Sequence, residues 1–184
     1  ISLYAHYLDD GKIVEFVDMP FQIVKVADIV NGQFVNVGDF KDFKNISTNM
    51  NASQMKEMSY ALQAYMKGKN ISFTDEKNTN KNGIVQFFDL DLGLYLVSQK
   101  ERDDIKYYSE PFLISIPMIE DSNEIFNVYS KPKFIEKDEN EIPTSPTIPD
   151  SSVETGDNTN VILWIVLLLV SGLALLSVTR KQRK

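Results

Sequence analysis

The segment FQIVKVAD, residues 21–28, decides the fold of this chain. Its branched and aromatic side chains favour an extended strand, because such side chains pack well on a pleated surface. Successive side chains of a strand point to opposite faces. One face is therefore predicted to carry Phe21, Ile23, Lys25 and Ala27. The segment is therefore predicted to be a strand of a β-rich domain.

Further short β-rich runs lie on both sides of this segment and are separated by turn signals. They are residues 2–8, 83–88, 93–99, 111–117 and 125–130. Short strands at such intervals are typical of a β-sandwich. We therefore predict a mainly β fold for residues 1–133, with one helix inserted between the strands.

The inserted helix is predicted from a change of period between Asn51 and Lys67. Apolar residues there recur at helical spacing: Met55, Met58, Leu62, Tyr65 and Met66. Asn51 and Gln54 have the spacing of a capping box, and Gly68 is predicted to end the helix. The methionine stripe is interpreted as core packing.

Composition excludes several classes of function. The 184 residues carry a net charge of −7, which disfavours nucleic acid as a partner. There is no cysteine and one histidine, His6, so thiolate metal sites and histidine-based catalytic sets lack their ligands and partners. We predict a protein that is not an enzyme and that holds no cofactor or metal.

The C-terminal part of the sequence indicates a membrane anchor. Residues 161–179 carry no charge, and a helix of this length covers roughly the ~30 Å hydrocarbon core of a bilayer. A basic stop at residues 180–184 follows, with Arg180, Lys181, Arg183 and Lys184. Basic residues stay on the cytoplasmic side, so residues 1–160 are predicted to lie outside. Because the chain begins at Ile1 without a signal segment, it is interpreted as mature or truncated.

Between the β-rich part and this span, residues 134–151 contain Pro143, Pro146 and Pro149 among acidic and hydroxyl residues. Such a stretch buries too little apolar surface to fold, which predicts an extended stalk.

The residues just before the span resemble the sorting signal of Gram-positive surface proteins. That signal is a Leu-Pro-x-Thr-Gly pentapeptide, then an apolar span and a basic stop. Here the pentapeptide is Ser152, Val153, Glu154, Thr155 and Gly156, within residues 152–160, and it departs from the usual pattern at its first two positions. The resemblance implies that a sortase transpeptidase cuts after Thr155. The enzyme then passes the Thr155 carbonyl to an amine of peptidoglycan or of another subunit.

The β-rich part resembles SpaA-type pilin subunits at three points in the same order. FQIVKVAD is similar to the family's F-x-L-Y-K-V-A-D strand. GIVQF at residues 83–87, with LGLYLV at 92–97, resembles the family's G-x-V-x-F hairpin, and PFLISIPM at 111–118 resembles P-F-L-V-S-V-P-M. The resemblance implies a prealbumin-like or immunoglobulin-like β-sandwich.

The same resemblance points to a linkage lysine. FNVYSKPK, residues 126–133, aligns with the family's Y-D-V-x-V-Y-P-K motif, which places Lys133 at the reacting position. Lys131 stands where the family has Tyr, and it is the alternative. A solvated lysine at a domain edge explains the residue equally well.

Many domains of that family also contain an internal Lys–Asn isopeptide bond. The lysine of the first strand falls near His6 or Tyr7 here, and Gln99 stands where the family has the promoting acid. Lys25 and Asn127 are the remaining candidate pair.

Two functions follow from these patterns. The first is a structural cell-surface protein, a pilin subunit or pilin-like adhesin, that a sortase attaches to the Gram-positive cell wall or to other pilin subunits from a membrane-bound precursor. The alternative is a single-pass membrane protein that binds a host or neighbour-cell ligand and is never cleaved.

Overall fold

In a computed structural model of the chain, residues 1–136 are described. The chain divides into two units, and the description concerns the first, Ile1–Asn140. Most of the predicted stalk, the sorting signal, the membrane span and the basic stop lie outside the described residues. Within residues 1–136, no helix is both long and apolar enough to cross a membrane.

The described part holds fourteen strands, one α-helix and one 3-10 helix. The strands are β1 (Ser2–Tyr4), β2 (His6–Asp9), β3 (Lys12–Glu15), β4 (Pro20–Val30), β5 (Gln33–Asn36), β6 (Asp75–Asn78), β7 (Ile84–Gln86), β8 (Gly93–Gln99), β9 (Tyr107–Ser109), β10 (Phe112–Ile116), β11 (Met118–Glu120), β12 (Asn123–Ile125), β13 (Tyr129–Ser130) and β14 (Phe134–Glu136). The 3-10 helix spans Gly38–Phe40 and helix α1 spans Ala52–Lys69.

Two sheets build the predicted sandwich, which confirms the mainly β fold. The larger sheet has the order β10-β8-β4-β5, and β6 also pairs with β4, so β4 is its longest and central strand. The smaller sheet has the order β13-β1-β7, in which β13 runs parallel to β1 and β7 runs antiparallel. Three two-stranded ladders complete the domain: β2 with β3, β9 with β14, and β11 with β12.

Apolar side chains cover both faces of the larger sheet. The aromatic-side core lies toward the smaller sheet and contains Leu3, Ala5, Phe16, Met19, Phe21, Ile23, Val85, Phe87, Tyr95, Val97, Ile105, Ile114, Ile116 and Val128. The helix-side core lies toward α1 and contains Val24, Val26, Ala27, Phe40, Ile46, Leu62, Met66, Leu94, Leu96 and Leu113. A strand buried on both faces explains why residues 21–28 carry apolar residues at nearly every position.

A β-bulge in β4 corrects one sequence prediction. Lys25 pairs with Tyr95 of β8, and Ala27 pairs with the adjacent Leu94, so β4 has one extra residue there. The extra residue turns Ala27 into the helix-side core, whereas Phe21 and Ile23 face the aromatic side. The prediction that Ala27 shares their face is therefore wrong.

The bulge depends on a glycine in the neighbouring strand. Gly93 has φ +152°, and a Cβ there would lie 2.4 Å from the Ala27 carbonyl oxygen and 2.5 Å from Lys25 Cε. Any larger residue would push β8 away from β4 at the bulge.

Helix α1 begins as predicted and ends later. Asn51 and Gln54 form both hydrogen bonds of the capping box, 2.9 Å and 3.0 Å long. The helix passes through Gly68 and ends at Lys69, and its C-cap Asn70 adopts the left-handed conformation with φ 56°. Asparagine tolerates this conformation better than most residues, so it replaces the predicted glycine as the helix terminator.

Two predicted strands are interrupted in the structure. Residues 2–8 divide into β1 and β2 at the buried Ala5, whose amide donates to the Gly83 carbonyl. Residues 125–130 divide between the end of β12 and β13, with Val128 buried in the aromatic-side core.

Candidate linkage site at the end of the domain

The candidate lysines lie just after the smaller sheet ends. β13 pairs in parallel with β1, with Tyr129 opposite Ser2, and the Ser2 amide donates a 2.9 Å hydrogen bond to the Val128 carbonyl. Lys131 and Lys133 follow and are exposed, while Pro132 between them is buried. The segment that carries the two lysines therefore directly follows a paired strand, and the buried Pro132 fixes it between them.

The chain is held again immediately after Lys133. β14 pairs antiparallel with β9, with Phe134 opposite Ser109 and Ile135 opposite Tyr108. The Phe134 ring lies 4.4 Å from the Phe16 ring, measured between centroids, and 6.3 Å from the Phe21 ring in an edge-on arrangement. The predicted stalk begins at residue 134, but the structure places residues 134–136 in this strand, because the Phe134 ring packs on the aromatic-side core.

Phe134 is one member of an aromatic cluster of four rings: Tyr7, Phe16, Tyr107 and Phe134. Tyr7 stacks on Phe16 at 5.1 Å and on Tyr107 at 4.9 Å, and Phe16 lies 5.2 Å from Tyr107. Desolvation raises the pKa of Tyr7, and the neighbouring Tyr107 and Asp9 act in the same direction, so the phenol stays neutral. The cluster gives β14 an apolar anchor.

In the part of the chain that the structure describes, the two candidate lysines differ from their charged neighbours in having no partner. Within residues 1–136, neither Lys131 nor Lys133 has an ion pair or a side-chain hydrogen bond. The acid of β14, Glu136, is paired with Lys106 instead. Both candidate amines are therefore open to solvent and to another protein.

The candidate isopeptide pair is arranged differently. The Lys25 amine lies 2.7 Å from Asp28 Oδ1, and its side chain is 24% exposed. Asn127 is exposed, and within the described residues no hydrogen bond joins it to Lys25. An amide bond between Lys25 and Asn127 stays a prediction, and the structure gives the Lys25 amine another partner.

Gln99 acts as a structural bridge between strands. Its Nε2 donates to the Tyr107 carbonyl at 3.1 Å and approaches Met19 Sδ, while its Oε1 accepts from the Ser109 amide. The side chain thus holds β9, the partner of β14, against the end of β8. A carboxylate could accept from Ser109 but could not donate to Tyr107, which gives a physical reason for an amide at this position.

The histidine of the first strands has a structural environment. His6 stacks on Tyr4 at 4.3 Å with an interplanar angle of 18°, and it faces Glu15 across the β2–β3 ladder. Among residues 1–136, no group of three or more His, Asp or Glu side chains is placed to hold a metal ion.

Phe134 is the residue of this site that the sequence analysis missed. On composition alone, this residue belongs to the predicted stalk. The signal that could have found it is the one aromatic residue of the predicted stalk, directly after the candidate lysine. The sorting residues Ser152, Val153, Glu154, Thr155 and Gly156 and the basic stop lie outside the described residues and stay predictions.

Comparison with known proteins identifies the domain. The profile of the family described as Gram-positive pilin subunit D1, N-terminal domain, matches residues 7–132. The chain belongs to this family. The family consists of structural, non-enzymatic proteins of the Gram-positive cell surface, which confirms that the protein is not an enzyme. The match ends one residue before Lys133.

Two solved pilins resemble the chain. The full-length major pilin SpaD from Corynebacterium diphtheriae is 27% identical, with a TM-score of 0.45, over 73% of this chain and 29% of that one. The fimbrial protein FimP from Actinomyces oris is 18% identical, with a TM-score of 0.44, over 72% of this chain and 28% of that one. The chain thus spans less than a third of the length of these two pilins. No curated protein matches the sequence.

Proposed function

We propose that this chain is a pilin subunit or pilin-like adhesin that is exported and that a sortase attaches covalently at the cell surface. The observation that carries the proposal is Lys133, an exposed lysine without an ion pair among residues 1–136, directly after the last matched residue of a pilin domain. The sequence of Thr155-Gly156, apolar span and basic stop supplies the other half of a sortase substrate.

The proposed reaction exchanges one amide bond for another. The Thr155–Gly156 bond of one subunit breaks, the sortase carries the Thr155 acyl group, and Gly156 leaves as a free amine. The Lys133 Nζ of a second subunit then attacks the Thr155 carbonyl. An ammonium has no lone pair, so a base of the sortase must first take a proton from Nζ. The exchange needs no oxidant or other co-reactant.

Lys131 is the alternative nucleophile on the same segment. It is equally exposed, and it lies between the β13–β1 pairing and Pro132. Lys133 is preferred because Pro132 and Phe134, the residues on both sides of it, are turned into the domain.

Mass spectrometry of wall digests tests the proposal in cells that make the protein. We expect a branched peptide in which Thr155 is joined to Lys133. Lys133→Arg should abolish that peptide, while the matched control Lys131→Arg should keep it. Arginine preserves the charge in both variants but does not act as the acyl acceptor.

Other outcomes discriminate between the functions. A Thr155 carbonyl found only on a peptidoglycan amine would keep sortase anchoring and remove the role of Lys133. Intact Thr155–Gly156 in all mature protein would contradict anchoring and leave the uncleaved, membrane-bound ligand-binding module.

A further inference from the structure

We propose that Phe134 is a positioning residue for the linkage lysine: its ring, packed in the aromatic cluster, holds Lys133 pointing outward for acyl transfer. This inference rests on the proposed function, since it concerns how Lys133 is presented to the sortase.

The geometry of three consecutive residues carries the inference. Pro132 is buried, Lys133 is exposed, and Phe134 packs inward against Phe16 at 4.4 Å. Side chains alternate along an extended chain, so two inward neighbours turn the residue between them outward. Pro132 also fixes its own φ, which restricts the backbone on the entry side of Lys133.

The backbone that follows Lys133 is anchored by the side chain of Phe134 more than by the other two side chains of β14. Ile135 is 44% exposed and points away from the core, and Glu136 is an exposed residue of the Lys106 ion pair. Exposed ion pairs stabilise little. The Phe134 ring is therefore the main side-chain anchor of β14, in addition to the backbone pairing of this strand with β9.

Fixing the lysine should accelerate its reaction with the acyl-enzyme. A nucleophile held in one orientation reacts faster than one that samples many, because its freedom has already been lost on folding. Freeing the backbone of one residue changes the population of the reactive geometry by about tenfold. Truncation of Phe134 should therefore reduce linkage at Lys133 by about that factor.

The experiment compares Phe134→Ala with Ile135→Ala in the full chain, expressed in native cells in place of the wild type. Ile135 is the matched control, because it is the next residue of the same strand and faces the opposite way. The measurement is the fraction of all Thr155 carbonyls that are joined to Lys133, relative to those joined to Lys131 or to peptidoglycan amines. A mere loss of folded protein lowers the yield but does not shift Thr155 from Lys133 to Lys131.

We expect Phe134→Ala to lower the Lys133 fraction about tenfold and Ile135→Ala to change it less than twofold. Phe134→Leu, which keeps an apolar anchor, should restore most of the fraction, and it replaces the alanine variant if that variant does not fold. An unchanged Lys133 fraction in the folded Phe134 variant, or an equal loss in Ile135→Ala, would overturn the inference alone. A wild-type chain with no linkage at Lys133 would overturn the proposed role of that lysine and the inference together.

Discussion

The larger sheet is covered by two different layers. On the aromatic side, Phe16, Phe21 and Tyr95 face the smaller sheet, and the ring of Phe134 packs against this layer. On the helix side, the buried residues are mostly aliphatic, with Phe40 as the exception, and they include Leu62 and Met66 of α1. Both layers contribute burial to stability, but only the aromatic layer contacts the strand that follows Lys133. The comparison teaches that the helix-side core contributes to stability only. The aromatic-side core contributes to stability and also determines how a reactive residue is presented.

The largest effects should come from truncating each layer at its centre. Phe21 and Leu62 both have 0% exposure. Phe21→Ala should lower the free energy of unfolding by about 3–5 kcal/mol and Leu62→Ala by about 2–5 kcal/mol, measured by urea denaturation. Only Phe21→Ala should also accelerate amide hydrogen exchange in β14 under native conditions, because it removes the edge-on partner of Phe134. Equal acceleration in Leu62→Ala would break the distinction between the layers.

An intermediate effect is expected at the bridge beside the aromatic layer. Gln99→Glu should destabilise the domain by about 1–3 kcal/mol at neutral pH, because a carboxylate leaves the Tyr107 carbonyl without its donor and faces it with a negative charge.

The pH dependence of Gln99→Glu has a defined sign. Two oxygens facing each other raise the pKa of the new carboxyl in the folded state above the unfolded value of about 4.3. The protonated acid can donate a hydrogen bond to the Tyr107 carbonyl. The stabilisation that this bond gives the folded variant is present below about pH 4.3 and is lost as the pH rises through the folded pKa. Chemical denaturation of Gln99→Glu and of Gln99→Ala at several pH values measures this. The free energy of unfolding of the alanine variant should lack this pH dependence. A destabilisation that does not depend on pH in either variant would contradict the proposed role of Gln99 as a bridge.

The smallest effect on stability is expected at the N-terminus of α1, on the helix side of the larger sheet. Asn51→Ala removes the side-chain acceptor of the capping box and should cost about 1 kcal/mol. Because α1 covers only the helix-side layer, amide exchange in β14 should stay unchanged in this variant. Asn70→Gly serves as the control at the other end of the helix, where glycine fits the left-handed conformation, so stability should fall little or rise slightly.

The sequence predicted those parts of the fold that local pattern determines. The predicted strand at residues 93–99 coincides with β8, and the Asn51–Gln54 capping box forms as expected. Both depend on contacts within a few residues of the chain. The strand at residues 21–28 was also predicted, but its burial on both faces was not, because strand alternation alone assigns one apolar face.

The features that sequence could not predict are set by contacts between distant residues. The bulge at Lys25–Ala27 exists because Gly93 lets β8 approach closely, and Gln99 contacts the distant Met19 as well as the strand β9. Composition assigns Phe134 to the stalk, because composition describes a whole segment and not the contact of a single ring with the core. The sequence therefore predicted the candidate lysine but not the contacts that anchor the chain beside it.

The parallel pairing of β1 with β13 has a consequence for the order of folding. Ser2 lies opposite Tyr129, so the smaller sheet closes only when the first and last parts of the domain meet. Pairing over so long a separation is slow, because loop closure must precede the contact. A nascent chain therefore cannot complete this sheet until nearly the whole domain has been synthesised. Lys133 follows within three residues of β13, so it acquires its final setting among the last events of assembly.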